Sequence, residues 1–173
     1  MCGIVGQVRL DGLAPDAAAV GRARERLVHR GPDDAGSWAQ GAAAFGFRRL
    51  SILDLEHGHQ PMQSADGRFC IVFNGEVYNH PALKEELDAA GTRARTRTDT
   101  ETILRLFARD GVDALPRLEG MFGLAVWDAK KQELTLARDA QGDKPLYYHF
   151  DGTRHSYASE LRALNSLLPK VEL

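Results

Sequence analysis

The order of the apolar segments along the chain is the feature that most constrains its fold. Runs with strand-like composition cluster near both ends, and a pair of helices lies in the middle. We predict strands at 2–10, 38–47, 69–73, 121–127, 133–137, 146–150 and 156–158, with a short extended piece at 50–55. We predict helices at 14–28, 81–90, 100–109 and 160–168, with a shorter helical piece at 112–118. This order favours an α+β domain built on antiparallel sheets over a βαβ array.

The composition is that of one globular domain, residues 1–173. A net charge of −2 without a dense basic cluster argues against a nucleic-acid partner. No apolar run reaches membrane-spanning length and no secretory leader opens the chain, so we predict a cytoplasmic protein without a membrane partner. Cys2 and Cys70 form neither a disulfide framework nor a metal motif, and Cys70 lies in an apolar run typical of a core.

The chain opens with Met1-Cys2-Gly3-Ile4-Val5-Gly6. Because an initiator Met before a small residue is removed efficiently, we expect Cys2 to become the first residue, with a thiol and a free α-amine on one carbon. An amine with a pKa of about 7.7 to 8.0 can accept the thiol's proton, which would make Cys2 a nucleophile with its own base. Cysteine at position two also occurs by chance, so the hexapeptide alone leaves both interpretations open.

Five short motifs follow one another in a defined order. They are Met1-Cys2-Gly3-Ile4-Val5-Gly6, His29-Arg30-Gly31-Pro32-Asp33, Arg49-Leu50-Ser51-Ile52, Phe73-Asn74-Gly75-Glu76-Val77-Tyr78-Asn79-His80 and Thr98-Asp99-Thr100-Glu101. Together they resemble the class II glutamine amidotransferase domain of the N-terminal nucleophile hydrolase superfamily. The pairing of HRGPD with RLSI and NGEVYNH is most similar to the asparagine synthetase (glutamine-hydrolysing) branch, and the resemblance covers essentially the whole chain.

This resemblance implies a four-layer αββα sandwich of two antiparallel sheets and hydrolysis of L-glutamine to glutamate and ammonia. It implies that Cys2 attacks the side-chain amide to form a thioester, while its α-amine carries the proton to the leaving ammonia. The implied oxyanion donors are the Asn74 side chain and the Gly75 backbone N–H. One such donor is typically worth about 2.7 to 4 kcal/mol in other enzymes.

The resemblance also implies partners for the charged end of free glutamine. Arg49 is expected to bind the α-carboxylate through its guanidinium. Glu76 and Asp99 are expected to bind the α-ammonium, assisted by backbone groups of the stretch from Leu50 to Ile52. No cofactor and no metal are expected in this domain, because ATP and Mg²⁺ would be needed only by a synthetase domain or partner.

Each of these residues also has a structural interpretation. Asn74-Gly75 alone is typical of a turn, and Arg49 of a surface charge. Asp99 or Thr98 is a candidate helix N-cap. The histidines have a spacing that fits no familiar set of metal ligands; they include His29, His57, His59 and His80.

Two functions other than glutamine hydrolysis are alternatives for this chain. A non-catalytic module that senses glutamine or docks on a synthetase predicts the loss of Cys2, Asn74 or Asp99, and all three are present. A hydrolase of another amide fits less well, because Arg49, Glu76 and Asp99 suit a free amino acid.

The chain departs from the family pattern in two respects. Gln141 stands where an apolar residue is usual, and we expect a local packing change without effect on the nucleophile. The chain stops at Leu173 without the SGGLDS-type phosphate loop of the synthetase domain. We therefore expect a synthetase partner, either a separate subunit served in trans or a missing C-terminal domain. The end of the chain soon after a complete domain favours the separate subunit.

Overall fold

Two antiparallel sheets form the centre of the protein. The computed structural model describes residues 1–50, 58–91 and 93–169. The strands in chain order are β1 Gly3–Arg9, β2 Asp34–Gln40, β3 Ala43–Arg49, β4 Met62–Gln63, β5 Phe69–Val77, β6 Gly120–Asp128, β7 Glu133–Arg138, β8 Tyr147–Phe150 and β9 Arg154–Ala158. One sheet has the order β2-β3-β1-β9-β8 and the other β4-β5-β6-β7, and all neighbouring strands are antiparallel.

Side-chain caps mark the start of two of the helices. They are α1 Ala17–Glu25, α2 His80–Ala89, α3 Asp99–Asp110 and α4 Leu161–Asn165, and a 3₁₀ helix, Gly111–Arg117, follows α3. The Asp16 carboxylate caps α1 by accepting the Ala19 N–H at 2.9 Å. Thr98 caps α3 by accepting the Glu101 N–H at 3.2 Å, and Gly111, with φ +64°, ends it.

The elements stack in four layers because each sheet buries both of its faces. In β1, Ile4 and Val8 face the other sheet, whereas Val5 faces α1 and α4. In β5, Val72 faces the first sheet and Ile71 packs under α2 and α3. The result is the predicted αββα sandwich, and the antiparallel α+β prediction is confirmed.

Two strand predictions were wrong. The segment 38–47, predicted as one strand, belongs to the hairpin of β2 and β3, and Gly41 adopts φ +55° at its turn. The strand predicted to end before Asn74-Gly75 continues to Val77, so Asn74-Gly75 is not a turn. The short strand β4 was not predicted. The terminal helices α1 and α4 are shorter than predicted, and the extended piece at 50–55 lies outside the described residues apart from residue 50.

Gln141 is exposed, so a polar side chain at that position needs no buried partner. Within the described ranges, no helix combines the length and the apolar character that crossing a bilayer requires.

Candidate active site

A cavity of about 170 Å³ is lined by residues from both sheets, just before β1 and near the ends of β3 and β5. The predicted site residues that line it are Cys2, Arg49, Leu50, Asn74, Gly75, Glu76 and Asp99. Ile52 lies outside the described residues, so its predicted role stays a prediction. These residues are spread along the sequence from Cys2 to Asp99, and the fold brings them together around this cavity.

Strand alternation explains why three of these side chains converge. Cys2 shares the face of β1 that carries Ile4, and it packs against the layer between the sheets. Arg49 ends β3 on the face of Phe47, and Asn74 lies on the face of β5 that carries Val72. Gly3 pairs with Arg48, which places Cys2 and Arg49 at the same end of their strand pair.

The Cys2 thiol is partly buried, and its environment keeps it protonated. Its Sγ donates to the Leu50 carbonyl oxygen at 3.8 Å. Burial raises the pKa of this thiol, although the hydrogen bond to Leu50 and the positive charges of the N-terminus and Arg49 oppose the shift. A preformed thiolate is therefore disfavoured, and the thiol needs a base before it can attack.

Asn74 lines the cavity and carries an unsatisfied donor. Its side chain is 1% exposed, and its buried Nδ2 has no hydrogen-bond partner among the residues that the structure describes. Buried amides are rarely left in this state, and such exceptions are often explained by function.

Gly75 lies against the neighbouring strand too closely for a side chain. A Cβ at this position would lie 2.1 Å from the Met121 carbonyl oxygen. The N–H groups of Phe73 and Val77, two residues away on either side, donate to Gln60 Oε1 at 2.6 Å and Asp99 Oδ2 at 3.2 Å. Alternate N–H groups of a strand point to the same side, so the Gly75 N–H is directed to the side of Gln60 and Asp99.

Asp99 joins the start of α3 to β5. Its Oδ2 accepts from Val77 N, and its Oδ1 accepts from Thr100 N at 2.8 Å. Burial raises the pKa of the Asp99 carboxyl, although these backbone hydrogen bonds oppose the shift. Thr98 is the N-cap of α3, so the interpretation of Asp99 as the cap was wrong. Its buried carboxylate is suited to a cationic group entering the cavity.

Arg49 and Glu76 complete the charged lining. Arg49 is 6% exposed, whereas Glu76 is exposed at the outer part of the cavity. The interpretation of Arg49 as a surface charge was wrong, because its side chain is buried.

Sequence reasoning missed Gln60 and Lys144 among the cavity residues. Gln60 is 4% exposed and donates from Nε2 to Thr100 Oγ1 at 3.2 Å, so it connects β5 to α3. Lys144 is 7% exposed, and its Nζ lies 2.9 Å from Met121 Sδ. Lys144 lies in the stretch Lys144-Pro145-Leu146-Tyr147-Tyr148, which is not part of the five motifs. Gln60 had no motif that could have identified it.

Two of the histidines lie within hydrogen-bond distance of carboxylates. His29 Nε2 lies 2.7 Å from Glu160 Oε1, and His59 Nδ1 lies 2.7 Å from Asp34 Oδ2. His57 lies outside the described residues. Across the described ranges, no group of three or more potential ligand side chains is arranged to hold a metal ion.

The four-layer fold is shared with an amidotransferase of known structure. The glutamine phosphoribosylpyrophosphate amidotransferase of Bacillus subtilis, solved with ADP and GMP, superposes with a TM-score of 0.79. The superposition covers 96% of this chain and 43% of that chain at 22% sequence identity, so it shows the fold alone.

The glutamine amidotransferase domain family matches residues 1–172, and the chain belongs to that family. The predicted membership is thereby confirmed. Asparagine synthetase [glutamine-hydrolyzing] 1 of Bacillus subtilis is 40% identical over 176 residues, which cover 100% of this chain and 28% of that protein. Asparagine synthetase [glutamine-hydrolyzing] 1 of Saccharomyces cerevisiae is 34% identical over 167 residues, which cover 95% of this chain and 29% of that protein. The chain thus spans less than a third of these relatives.

Proposed function

We propose that this chain hydrolyses L-glutamine to glutamate and ammonia, and that an ATP-dependent amidating domain or partner uses the ammonia. The observation that carries the proposal is the buried, unpartnered Asn74 Nδ2, which lines the same cavity as the Cys2 thiol. A fixed donor beside a nucleophile is the arrangement that acyl transfer from an amide requires.

Removal of Met1 is the first requirement of this mechanism. Met1 lines the cavity, and its peptide bond occupies the nitrogen of Cys2. Once Met1 is cleaved, the α-amine of Cys2 is free to take the proton of the thiol. While Met1 is still present, burial raises the pKa of the Cys2 thiol, so little thiolate forms before processing.

The thiolate then attacks the side-chain carbonyl carbon of glutamine. The carbonyl electrons move to the oxygen, where Asn74 Nδ2 and the Gly75 N–H stabilise the negative charge. As the tetrahedral adduct collapses, the α-ammonium of Cys2 donates its proton to the departing nitrogen, so ammonia leaves and a thioester remains. The same amine then takes a proton from water, and the resulting hydroxide attacks the thioester. Glutamate is released, and the proton returns to the Cys2 sulfur.

The charged end of the substrate is matched by charges of the opposite sign. The buried Arg49 guanidinium binds the α-carboxylate, and Glu76 with Asp99 binds the α-ammonium. An ammonium beside Asp99 compensates the burial of that carboxylate. Backbone groups of Leu50 contribute to the same end of the site, and Ile52 is proposed for the same role.

The relatives support an amidating partner for the ammonia. Their names describe glutamine-hydrolysing asparagine synthetases, and this chain matches only about a quarter to a third of their length. We infer that the acceptor is activated elsewhere, by a further domain or a separate subunit that binds ATP and Mg²⁺.

The test measures release of glutamate and ammonia from glutamine by the purified protein, after mass analysis has established that Met1 is absent. Cys2→Ala is expected to abolish turnover, since it removes the nucleophile. Cys70→Ala is the matched control: this cysteine is buried in the core, where burial raises its pKa, and turnover should persist. Absence of turnover by the processed protein, with and without a candidate synthetase, would refute the proposal.

A further inference from the structure

An N-terminal nucleophile has a covalent neighbour on one side only. After removal of Met1, Cys2 is joined to β1 through Gly3 alone, and chain ends without non-covalent contacts are poorly ordered. Proton transfer from thiol to amine and attack on the substrate both require a fixed residue, and a displacement of about 1 Å can reduce a rate on the order of 100-fold. Groups that hold the Cys2 backbone therefore affect catalysis.

The Arg30 guanidinium makes such a contact. Its Nε donates to the Cys2 carbonyl oxygen at 2.9 Å, and its side chain is 8% exposed. Arginine side chains are long and flexible, so this hydrogen bond is well directed only if the other end of the guanidinium is held as well.

Glu160 holds that other end. Its Oε1 accepts from Arg30 Nη1 at 3.3 Å and lies 2.7 Å from His29 Nε2, while its Oε2 lies 3.0 Å from Arg162 Nε. Burial raises the pKa of the Glu160 carboxyl, but the hydrogen bonds from His29 and Arg30 outweigh it and hold the pKa below the ordinary range. The anion is thus fixed from three directions.

Ser159, the residue before Glu160, holds the same end of β1 directly. Its Oγ accepts the Ile4 N–H at 3.0 Å, and its N–H donates to the Ile4 carbonyl oxygen at 2.9 Å. Residues 159 and 160 thereby fix the backbone on both sides of Gly3, one directly and the other through Arg30.

We propose that Glu160 is a positioning residue for Cys2 and acts through the Arg30 guanidinium on the Cys2 carbonyl group. This inference rests on the proposed glutaminase activity. It extends that proposal by assigning to Glu160 a role that none of the five motifs contains.

The first test compares Glu160→Gln with the wild type after Met1 removal. Glutamine keeps the size but loses the charge that orients Arg30, so kcat is expected to fall on the order of tenfold or more, while KM stays within about threefold. Glu86→Gln is the matched control, because Glu86 also binds two arginines, Arg109 and Arg117, and does not line the cavity. Its kcat should equal that of the wild type. Glu160→Asp keeps the charge on a shorter side chain, so its kcat should lie between those of the wild type and Glu160→Gln. If Glu160→Gln does not fold, Glu160→Asp is used in its place.

A double-mutant cycle distinguishes positioning from a general structural role. If Glu160 acts through Arg30, adding Glu160→Gln to Arg30→Lys lowers kcat little beyond Arg30→Lys alone. Additive losses overturn the proposal.

Amide hydrogen exchange provides a readout that needs no turnover. Glu160→Gln should raise the exchange rate of the Gly3 amide on the order of tenfold, with an unchanged melting temperature. If the wild type turns over glutamine and Glu160→Gln alters neither kcat nor this exchange, the positioning role is wrong and the glutaminase stands. If the wild type is inactive, the glutaminase proposal fails, and Gly3 exchange alone decides the role of Glu160.

Discussion

At the scale of single residues, Asn74 and Asp99 differ in how far the described protein satisfies them. The buried Asn74 Nδ2 has no hydrogen-bond partner among the described residues, whereas the Asp99 carboxylate accepts two backbone N–H groups. A buried unsatisfied group destabilises a fold by about 1 to 3 kcal/mol, so a ligand that accepts from Asn74 Nδ2 would remove this cost. The Asn79 side chain, five residues later, is fully engaged: it donates to the Arg117 carbonyl oxygen at 2.9 Å and accepts from Glu119 N at 3.1 Å.

These two asparagines should respond to substitution in opposite ways. Asn74→Ala is expected to lower kcat on the order of 10² to 10³-fold, because an oxyanion donor is lost, and to change the free energy of unfolding by less than about 1 kcal/mol. Asn79→Ala should leave kcat within about threefold but destabilise the fold by about 1 to 2 kcal/mol. Steady-state kinetics and urea unfolding measure both. A loss of stability without loss of kcat in Asn74→Ala would assign this residue a structural role.

At the scale of elements, the loop before α3 is ordered by a carboxylate inside that helix. Glu101 is 3% exposed and accepts the backbone N–H groups of Arg95 at 2.9 Å and Thr96 at 2.5 Å. Because α3 begins at Asp99, ordering of this loop also places Asp99 at the cavity. Burial raises the pKa of Glu101, but these hydrogen bonds outweigh it and the pKa lies below its ordinary value.

The stability contributed by Glu101 should depend on pH. Because the pKa of Glu101 is lower in the folded than in the unfolded protein, its carboxylate stabilises the fold at pH values above the unfolded-state pKa of about 4.3. This contribution is lost as the pH falls through the folded-state pKa. Glu101→Gln is therefore expected to lower the free energy of unfolding by about 1 to 3 kcal/mol at pH 7, with a smaller difference from the wild type at acidic pH. Urea unfolding across this pH range measures it, with the exposed Glu85→Gln on α2 as control. A difference that does not change with pH contradicts the assignment.

At the scale of the whole molecule, the layer between the sheets explains part of the opening motif. Tyr157 is fully buried there, and its ring lies over Gly6 of β1. A Cβ at Gly6 would lie 2.4 Å from Tyr157 Oη, so glycine is required by packing. The buried hydroxyl has no hydrogen-bond partner among the described residues.

Tyr157→Phe is expected to stabilise the protein by about 1 kcal/mol, because it removes a buried hydroxyl without a partner and keeps the ring. Gly6→Ala should destabilise it by about 1 to 3 kcal/mol through overpacking. Thermal and urea unfolding measure both effects. Destabilisation by Tyr157→Phe would indicate a partner for the hydroxyl in the folded protein.

The sequence by itself determined the antiparallel α+β class, the order of most elements and a set of residues for the site. Alternation of side chains in β1, β3 and β5 and the apolar spacing in α3 are local properties, so they can be predicted from neighbouring residues. The hairpin of β2 and β3 was missed because small residues on both sides of Gly41 resemble one continuous strand.

Only the tertiary structure decided that Asn74-Gly75 belongs to a strand and that Thr98, not Asp99, caps α3. A strand and a turn differ little in the local sequence Asn-Gly, and pairing with β6 selects the strand. The burial of Lys144 and Gln60 and the contact from Glu160 through Arg30 to Cys2 join residues far apart in the chain. Such contacts depend on how the layers pack, and no local pattern specifies them.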